Sequence, residues 1–393
     1  MDLLLLAAAL SLIGLGVVMV YSSSAVFAAS RYKDSMFFFK RDLVYACVGL
    51  VALYIGARID YRLYQRFTYP LLLGVTALLV MLMIPGLGTR VDGAVRWFRI
   101  AGVSFQPSEA AKFALVVYLA YSLAKKRSEM RTFSIGFLPH LIVASLVSAL
   151  VLRQPDLGSA AILMSVTMLL LLVAGTKLSY VLLAALAATP LAYQQIVGTP
   201  WRLRRLLAFL DPWAHRRDAG YQMAESLITV GSGGVSGLGL GDGRQKLFFL
   251  PAAHTDFIFA IIGEELGLVG LVAVVGVYGL LVLRGLRAAH GARELFGTYL
   301  AYGLTTMFGL QALLHMAVVL GLVPTKGITL PLVSYGGTAL VASSFCVGVL
   351  LNISMRKPAP VPAVATRARR DSETNNKRKV RRVLVAGADG ADA

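Results

Sequence analysis

Three short stretches of this 393-residue sequence set ionisable side chains beside or inside apolar runs, where each needs a chemical reason for its cost. The first is Gln106-Pro107-Ser108-Glu109, followed by Lys112. Pro107 suits the first turn of a helix. Glu109 and Lys112, three residues apart, share a face of that helix and can pair. The second is the turn Arg153-Gln154-Pro155-Asp156-Leu157-Gly158, in which Asp156 either caps the next helix or faces a ligand. The third is LPAAHTDFIF (250–259), continuing to Gly263-Glu264-Glu265-Leu266-Gly267. Here Asp256 stands where a long polar connection enters an apolar run, and two further acids follow about two turns deeper. A carboxylate at such a half-desolvated boundary can take a proton from a hydroxyl as a general base. It can equally be an ordinary helix N-cap, and the residue types alone leave both readings open.

Cations gather in the same connections. Residues 197–256 carry Arg202, Arg204, Arg205, Arg216 and Arg217. Arginine recognises phosphate with a bidentate fork, so these residues either bind a phosphate-bearing ligand or contact lipid headgroups and nearby acids. His254 and His315 are isolated, and no His/Cys/Asp/Glu spacing suggests zinc. No phosphate-binding P-loop and no GxGxxG between a strand and a helix occurs, which argues against a cytosolic nucleotide as substrate or energy source. Lys377-Arg378-Lys379 and Arg381-Arg382 resemble a nucleic-acid patch by composition only. Beside a membrane span such a cluster reads as a topogenic or lipid-surface element, and no nucleic-acid partner is expected.

The elements that must position these residues follow from composition. The chain is 57% hydrophobic and 15% charged, with a mean hydropathy of +0.72. A soluble domain runs at roughly 45–50% apolar and about 25% charged. The fold class expected is therefore an all-α polytopic integral membrane protein. Ten apolar stretches fall near 3–23, 42–57, 67–86, 107–124, 135–152, 157–175, 178–196, 257–283, 296–322 and 338–355. The first has neither a basic n-region nor a small-residue cleavage site and is expected to stay as a helix. Cys47 and Cys346, both in apolar runs, exclude a disulfide scaffold and a thiolate metal cluster. The sequence divides into a ten-helix membrane domain (1–355), a long extracytoplasmic loop within it (197–256) and a disordered, basic cytoplasmic tail (356–393).

Orientation rests on Lys and Arg by connection. With the N-terminus inside, the inner connections and the tail hold 21 of these residues and the outer connections 16. The ten in the tail decide the sign, placing both termini in the cytoplasm. Sixteen cations on the outer side is a high number, and it matches a phosphate-bearing ligand there.

Five motifs carry a family resemblance: RWFRIAGVSFQPSEAAK (96–112), QPDLGSA (154–160), AGYQMAESLITVGSGGVSGLGLG (219–241), FLPAAHTDFIFAIIGEELGLVG (249–270) and GLVPTKGITLPLVSYGG (321–337). In this order they closely resemble the SEDS family, bacterial membrane glycosyltransferases that polymerise peptidoglycan from lipid II. Pro324-Thr325-Lys326-Gly327 and Gly263-Glu264-Glu265-Leu266-Gly267 look more like the division branch (FtsW) than the elongation branch (RodA). Ala252 stands where the family often has Glu, and Thr338-Ala339 replaces a common Ser pair. The resemblance implies Asp256 as the catalytic base of an inverting transfer. It implies substrate-binding or supporting roles for Trp97, Glu109, Lys112, Asp156, Lys326 and Ser334, with the external arginines as candidate diphosphate ligands. No cofactor is required on this reading, although a divalent cation (Mg or Mn) could share the leaving-group charge, and the identity of any metal is not specified. It implies a class B penicillin-binding transpeptidase, other division proteins and membrane lipids as partners, and the plasma membrane of a bacterium, at the division septum, as location. Two alternatives compete: a lipid II flippase, for which arginines and a buried ion pair would serve equally well, and a non-catalytic division scaffold.

Overall fold

The computed structural model describes residues 1–91, 94–100 and 103–356; the expected basic tail lies, beyond Arg356, outside the described residues. In chain order the helices are α1 (Leu3–Tyr32), α2 (Phe37–Arg58), α3 (Arg62–Arg66), α4 (Thr68–Met81), α5 (Pro107–Lys125), α6 (Leu138–Arg153), α7 (Leu157–Val173), α8 (Leu178–Val197), α9 (Pro200–Leu210), α10 (Tyr221–Ser232), α11 (Ile258–His290), α12 (Leu295–Val319) and α13 (Gly337–Met355). All ten apolar stretches become helices, and α3, α9 and α10 are additional. Among the described residues six helices, α1, α6 with its preceding π turn, α8, α11, α12 and α13, are long and apolar enough to cross a membrane on length and composition alone. The apolar helices α4 and α7 are shorter. Both α2 and α5 carry charged residues within their first two turns, Lys40, Arg41 and Asp42 in one and Glu109 and Lys112 in the other.

Short connections make successive spans antiparallel. One face of the bundle therefore gathers the α4–α5, α6–α7, α8–α11 and α12–α13 connections, which hold the chemical motifs. At the centre stands α5, buried almost without interruption from Pro107 to Leu123 and packed chiefly against α12 and α4. Small residues let α2 and α13 touch. A Cβ added at Gly348 would fall 2.2 Å from the Leu53 carbonyl, so only glycine permits that approach. Outward-facing residues such as Leu182, Leu183 and Leu186 on α8 and Val269 and Val272 on α11 are apolar, as a hydrocarbon solvent demands.

The stretch 197–256 is more than a surface connection. After α9 and α10 it folds back along α11, which is broken at Gly267 (φ 66°, ψ −165°). Gly267 lies nine residues in, about 14 Å from the start of the helix. A broken helix frees backbone groups that lipid cannot satisfy, and the glycine-rich segment takes them up. Leu238 N–H donates to the Glu264 carbonyl (3.0 Å) and Gly239 N–H to that of Glu265 (3.0 Å). In return, Leu268 N–H donates to the Gly234 carbonyl (2.9 Å) and Val269 N–H to that of Val235 (3.2 Å). Side chains complete the clamp. Glu264 Oε1 accepts from Arg244 N–H (2.7 Å) and Gln245 N–H (3.1 Å). Glu265 Oε1 accepts from Lys246 Nζ (2.7 Å) and Ser22 Oγ (2.6 Å), and its Oε2 accepts from Gly241 N–H (3.1 Å).

Candidate active site

Between α4 and α5 the chain forms a small antiparallel sheet of three strands, β1 (Thr89–Val91), β2 (Ala94–Ile100) and β3 (Val103–Phe105), in that order. From β2, Arg96 reaches the α6–α7 turn, donating through Nε to the Gln154 carbonyl (2.8 Å) and through Nη2 to that of Pro155 (2.5 Å). Trp97 follows it. Thr338 Oγ1 donates to the Ser104 carbonyl (2.8 Å) and accepts from Gln106 N–H (3.3 Å), tying β3 to α13. The predicted i,i+3 pair forms at the head of α5, with Lys112 Nζ 2.8 Å from Glu109 Oε1 and both side chains buried. Asp156 caps α7, accepting from Ser159 N–H at 3.0 Å.

Asp256 sits in a compact turn before α11. Ala252, at φ 55°, turns its carbonyl to the N–H groups of Thr255 (3.1 Å), Asp256 (3.0 Å) and Phe257 (3.3 Å). The N-cap position of α11 is Phe257, one residue beyond Asp256. The α12–α13 connection braces this turn. Ser334 Oγ donates to the Thr255 carbonyl (2.6 Å) and accepts from Leu330 N–H (2.8 Å), while Tyr335 N–H donates to the His254 carbonyl (3.0 Å). His315 Nδ1 holds the Ile328 carbonyl (2.7 Å), and the Tyr278 hydroxyl that of Pro331. Gly327 faces the catalytic candidate directly, since a Cβ there would lie 3.1 Å from Asp256 Oδ2. His254 packs among rings, 4.6 Å from Phe38 and 5.7 Å from Tyr335 between centroids. Burial lowers it to about 4, so it stays neutral near pH 7.

These elements enclose a cavity of about 1090 Å³. Of the residues singled out from sequence, Trp97, Glu109, Lys112, Asp156, Arg204, Arg205, Asp256 and Lys326 line it. A smaller adjoining cavity of about 150 Å³ is lined by Arg96, Asp156, Trp201, Arg202, Arg205 and Lys326. Arg216 and Arg217 line neither: Arg216 pairs with the buried Glu225 (2.8 Å), and Arg217 is exposed. Ser334 lies behind the wall, where it braces the turn. Sequence reasoning passed over Arg96, Gln222, Gln311 and Tyr335 as lining residues. Arg96 stood inside a quoted motif, whereas Gln311 lies in an apolar run that gave no signal.

The cations are strained by burial and by one another. Arg205 is pulled below the usual arginine range by burial, with Arg96 adding to the shift and the Asp256 carboxylate opposing it. Lys326 is likewise lowered, by burial and then by Arg202, with Asp156 opposing. A concentrated positive field beside two carboxylates fits a ligand that brings its own negative charge. Among the described residues no group of three or more His, Cys, Asp or Glu could hold a metal. Asp156 and Asp256 are the aspartates singled out from sequence that line the cavity, and a Mg ion there would be bound chiefly through substrate phosphates, not in a protein cage.

A family model described as cell cycle protein, for FtsW, RodA and SpoVE, matches residues 2–358. The chain is 47% identical over 360 residues to the probable peptidoglycan glycosyltransferase FtsW of Geobacter sulfurreducens, covering 91% of this chain and 96% of that protein. A solved structure described as structural coordination of polymerization and crosslinking by a peptidoglycan synthase complex contains a chain that superposes with a TM-score of 0.75 at 28% identity, covering 91% and 98%. The crystal structure of the Thermus thermophilus rod shape determining protein RodA gives 0.67 at 26% identity, covering 91% and 97%. The fold and nearly the whole length are shared: this membrane protein belongs to the SEDS family of FtsW, RodA and SpoVE.

Proposed function

We propose that the chain is a peptidoglycan glycosyltransferase that polymerises lipid II on the outer face of the plasma membrane during division, with Asp256 as general base. The observation that carries this reading is the large cavity lined together by Asp256, the half-buried cations Arg205 and Lys326, and the buried Glu109–Lys112 pair. The acceptor sugar hydroxyl attacks the anomeric carbon of the donor, and its proton passes to the Asp256 carboxylate. The bond from that carbon to the diphosphate breaks on the opposite side, inverting α to β. The departing diphosphate needs positive charge instead of a proton. Arg204, Arg205 and Lys326 can supply it, Arg202 completing the set in the smaller cavity. A bound divalent cation would add to that charge stabilisation. Glu109–Lys112, buried and mutually neutralised, holds the floor of the site; removing one partner of such a pair typically costs about 3–5 kcal/mol.

A flippase would need a polar route to the opposite face. Below Lys112, α5 turns an apolar, buried surface inward from Ala114 to Ala120, which favours a site open on one face. Both termini are proposed to be cytoplasmic, so that the cavity faces outward where the substrate's sugars are. Labelling of a cysteine placed at 372 by an impermeant reagent in intact cells would reverse this orientation. A class B transpeptidase is the proposed partner, docking on the small and apolar residues of α11 and α12.

The test uses purified protein and lipid II without a transpeptidase. Polymer is expected from the native chain and none from Asp256→Asn, which should remain folded and bind lipid II. An amide cannot take the acceptor proton, so near-native polymerisation by the Asn variant would make the carboxylate structural. Scrambling of lipid II without polymer would instead support the flippase.

A further inference from the structure

Deep in α12, Gln311 is 5% exposed, yet its side chain lines the large cavity. It lies one turn before His315, which is held by the Ile328 carbonyl, so this stretch of helix is anchored. Glu109 and Lys112 from α5, Ser159 and Ile162 from α7, and Ile328 line the same cavity. Among the described residues the Gln311 carboxamide has no hydrogen-bond partner. Glu109 and Lys112 satisfy each other, and Ile328 directs its carbonyl to His315. The neighbouring inward residues of α12, Leu304, Phe308 and Ala312, are apolar. Neither polar atom of the carboxamide is among the unpartnered atoms sealed inside the protein, so the amide opens on the cavity, where it can meet a ligand; a leucine or methionine would fill the same space without offering one.

We propose that Gln311 contacts the substrate, its carboxamide holding a hydroxyl or acetamido group of the sugar that reaches the cavity floor. This rests on the glycosyltransferase reading above. The group is uncharged and offers donors and an acceptor side by side, which matches neutral sugar substituents. The phosphates are served elsewhere, by Arg204, Arg205 and Lys326 on the cavity wall. Gln311 thus discriminates between the sugar end and the phosphate end of one ligand.

The experiment compares native protein with Gln311→Met, of similar volume, using lipid II and undecaprenyl diphosphate as separate probes. Expected for Gln311→Met is a 10- to 100-fold loss in kcat/KM for lipid II, about the range for an unmade buried hydrogen bond. Undecaprenyl diphosphate affinity should be unchanged. Thermal stability without substrate should be unchanged or higher, because no protein contact is lost. Native kcat/KM would overturn the proposal, as would an equal loss of affinity for both probes. A lowered melting temperature or failure to fold would assign the amide a structural role and overturn it too. If the native chain forms no polymer, the glycosyltransferase reading fails by itself; weaker binding of lipid II alone by the Met variant would still uphold the sugar contact.

Discussion

Removing one hydroxyl behind the cavity wall tests what aims Asp256. Ser334, 4% exposed, joins two segments: its Oγ accepts from Leu330 N–H at 2.8 Å and donates to the Thr255 carbonyl at 2.6 Å. Ser334→Ala leaves a buried donor and a buried acceptor without that partner. At about 1–3 kcal/mol for each unsatisfied group, the local loss is roughly 2–6 kcal/mol. That energy is released if the 250–257 turn moves away from the α12–α13 connection, carrying Asp256 with it. A displacement on the order of 1 Å can cost about 100-fold in rate. Initial rates of lipid II polymerisation, measured over a range of lipid II concentrations, should show kcat lowered by about 10- to 100-fold. The half-saturating concentration should change by less than about threefold, because Ser334 does not reach the ligand. Native kcat together with a lowered melting temperature would refute the reasoning: the hydroxyl would then stabilise the turn without orienting the base.

The two sets of arginines should separate cleanly. Arg205→Gln and Lys326→Gln are expected to raise the apparent lipid II constant, while Arg217→Gln, outside both cavities, leaves it unchanged; equal effects at all three would return the cations to a general surface role. Burial and Arg202 hold Lys326 below the usual lysine range. Its charge is present at neutral pH and is lost earlier on the alkaline side, so Lys326→Arg should extend the alkaline limb of the pH–rate profile upward; an unchanged limb assigns that limb to another group. Lys246→Met strands the Glu265 carboxylate and should destabilise by about 3–5 kcal/mol, with Glu265→Gln in the same chain recovering part of the loss. A double variant no more stable than Lys246→Met would mean that the pair is not a clamp.

The spans were legible because a bilayer leaves little choice. An uncharged run long enough to cross hydrocarbon must close its hydrogen bonds internally, so ten apolar stretches became ten helices. Glu109 and Lys112 were legible for a similar local reason, since three residues of helix fix their neighbourhood. The convergence of β2, the α6–α7 turn, α9 and the α12–α13 connection on one cavity was not local and followed only from the resemblance. Nothing in sequence separates Arg204 and Arg205, which line the cavity, from Arg216, which is turned aside by Glu225. The fold-back of residues 233–239 was hidden for another reason. Its partners are backbone groups released by the break at Gly267, and a glycine in an apolar run does not announce a break.

Asp256 and the Glu264–Glu265 pair show why acids in a span cannot be sorted by type. Two adjacent carboxylates nearly two turns inside a helix look as functional as one at its mouth. The sorting lies in what each meets. Glu265 is ringed by Lys246, Ser22 and Gly241 N–H, with Ser22 lying 243 residues away in sequence. Glu264 has one oxygen filled by two backbone N–H groups, and its Oε2 is sealed inside the protein. Neither lines the large cavity, so neither has a lone pair within reach of an acceptor hydroxyl. Their contacts place the glycine-rich segment along the broken helix whose first turn follows Asp256. The Asp256 carboxylate faces the cavity and borders Gly327, where the missing side chain gives it room. In the mechanism proposed above, base chemistry falls to the acid at the helix mouth, while the two deeper acids hold the helix on which that mouth is built.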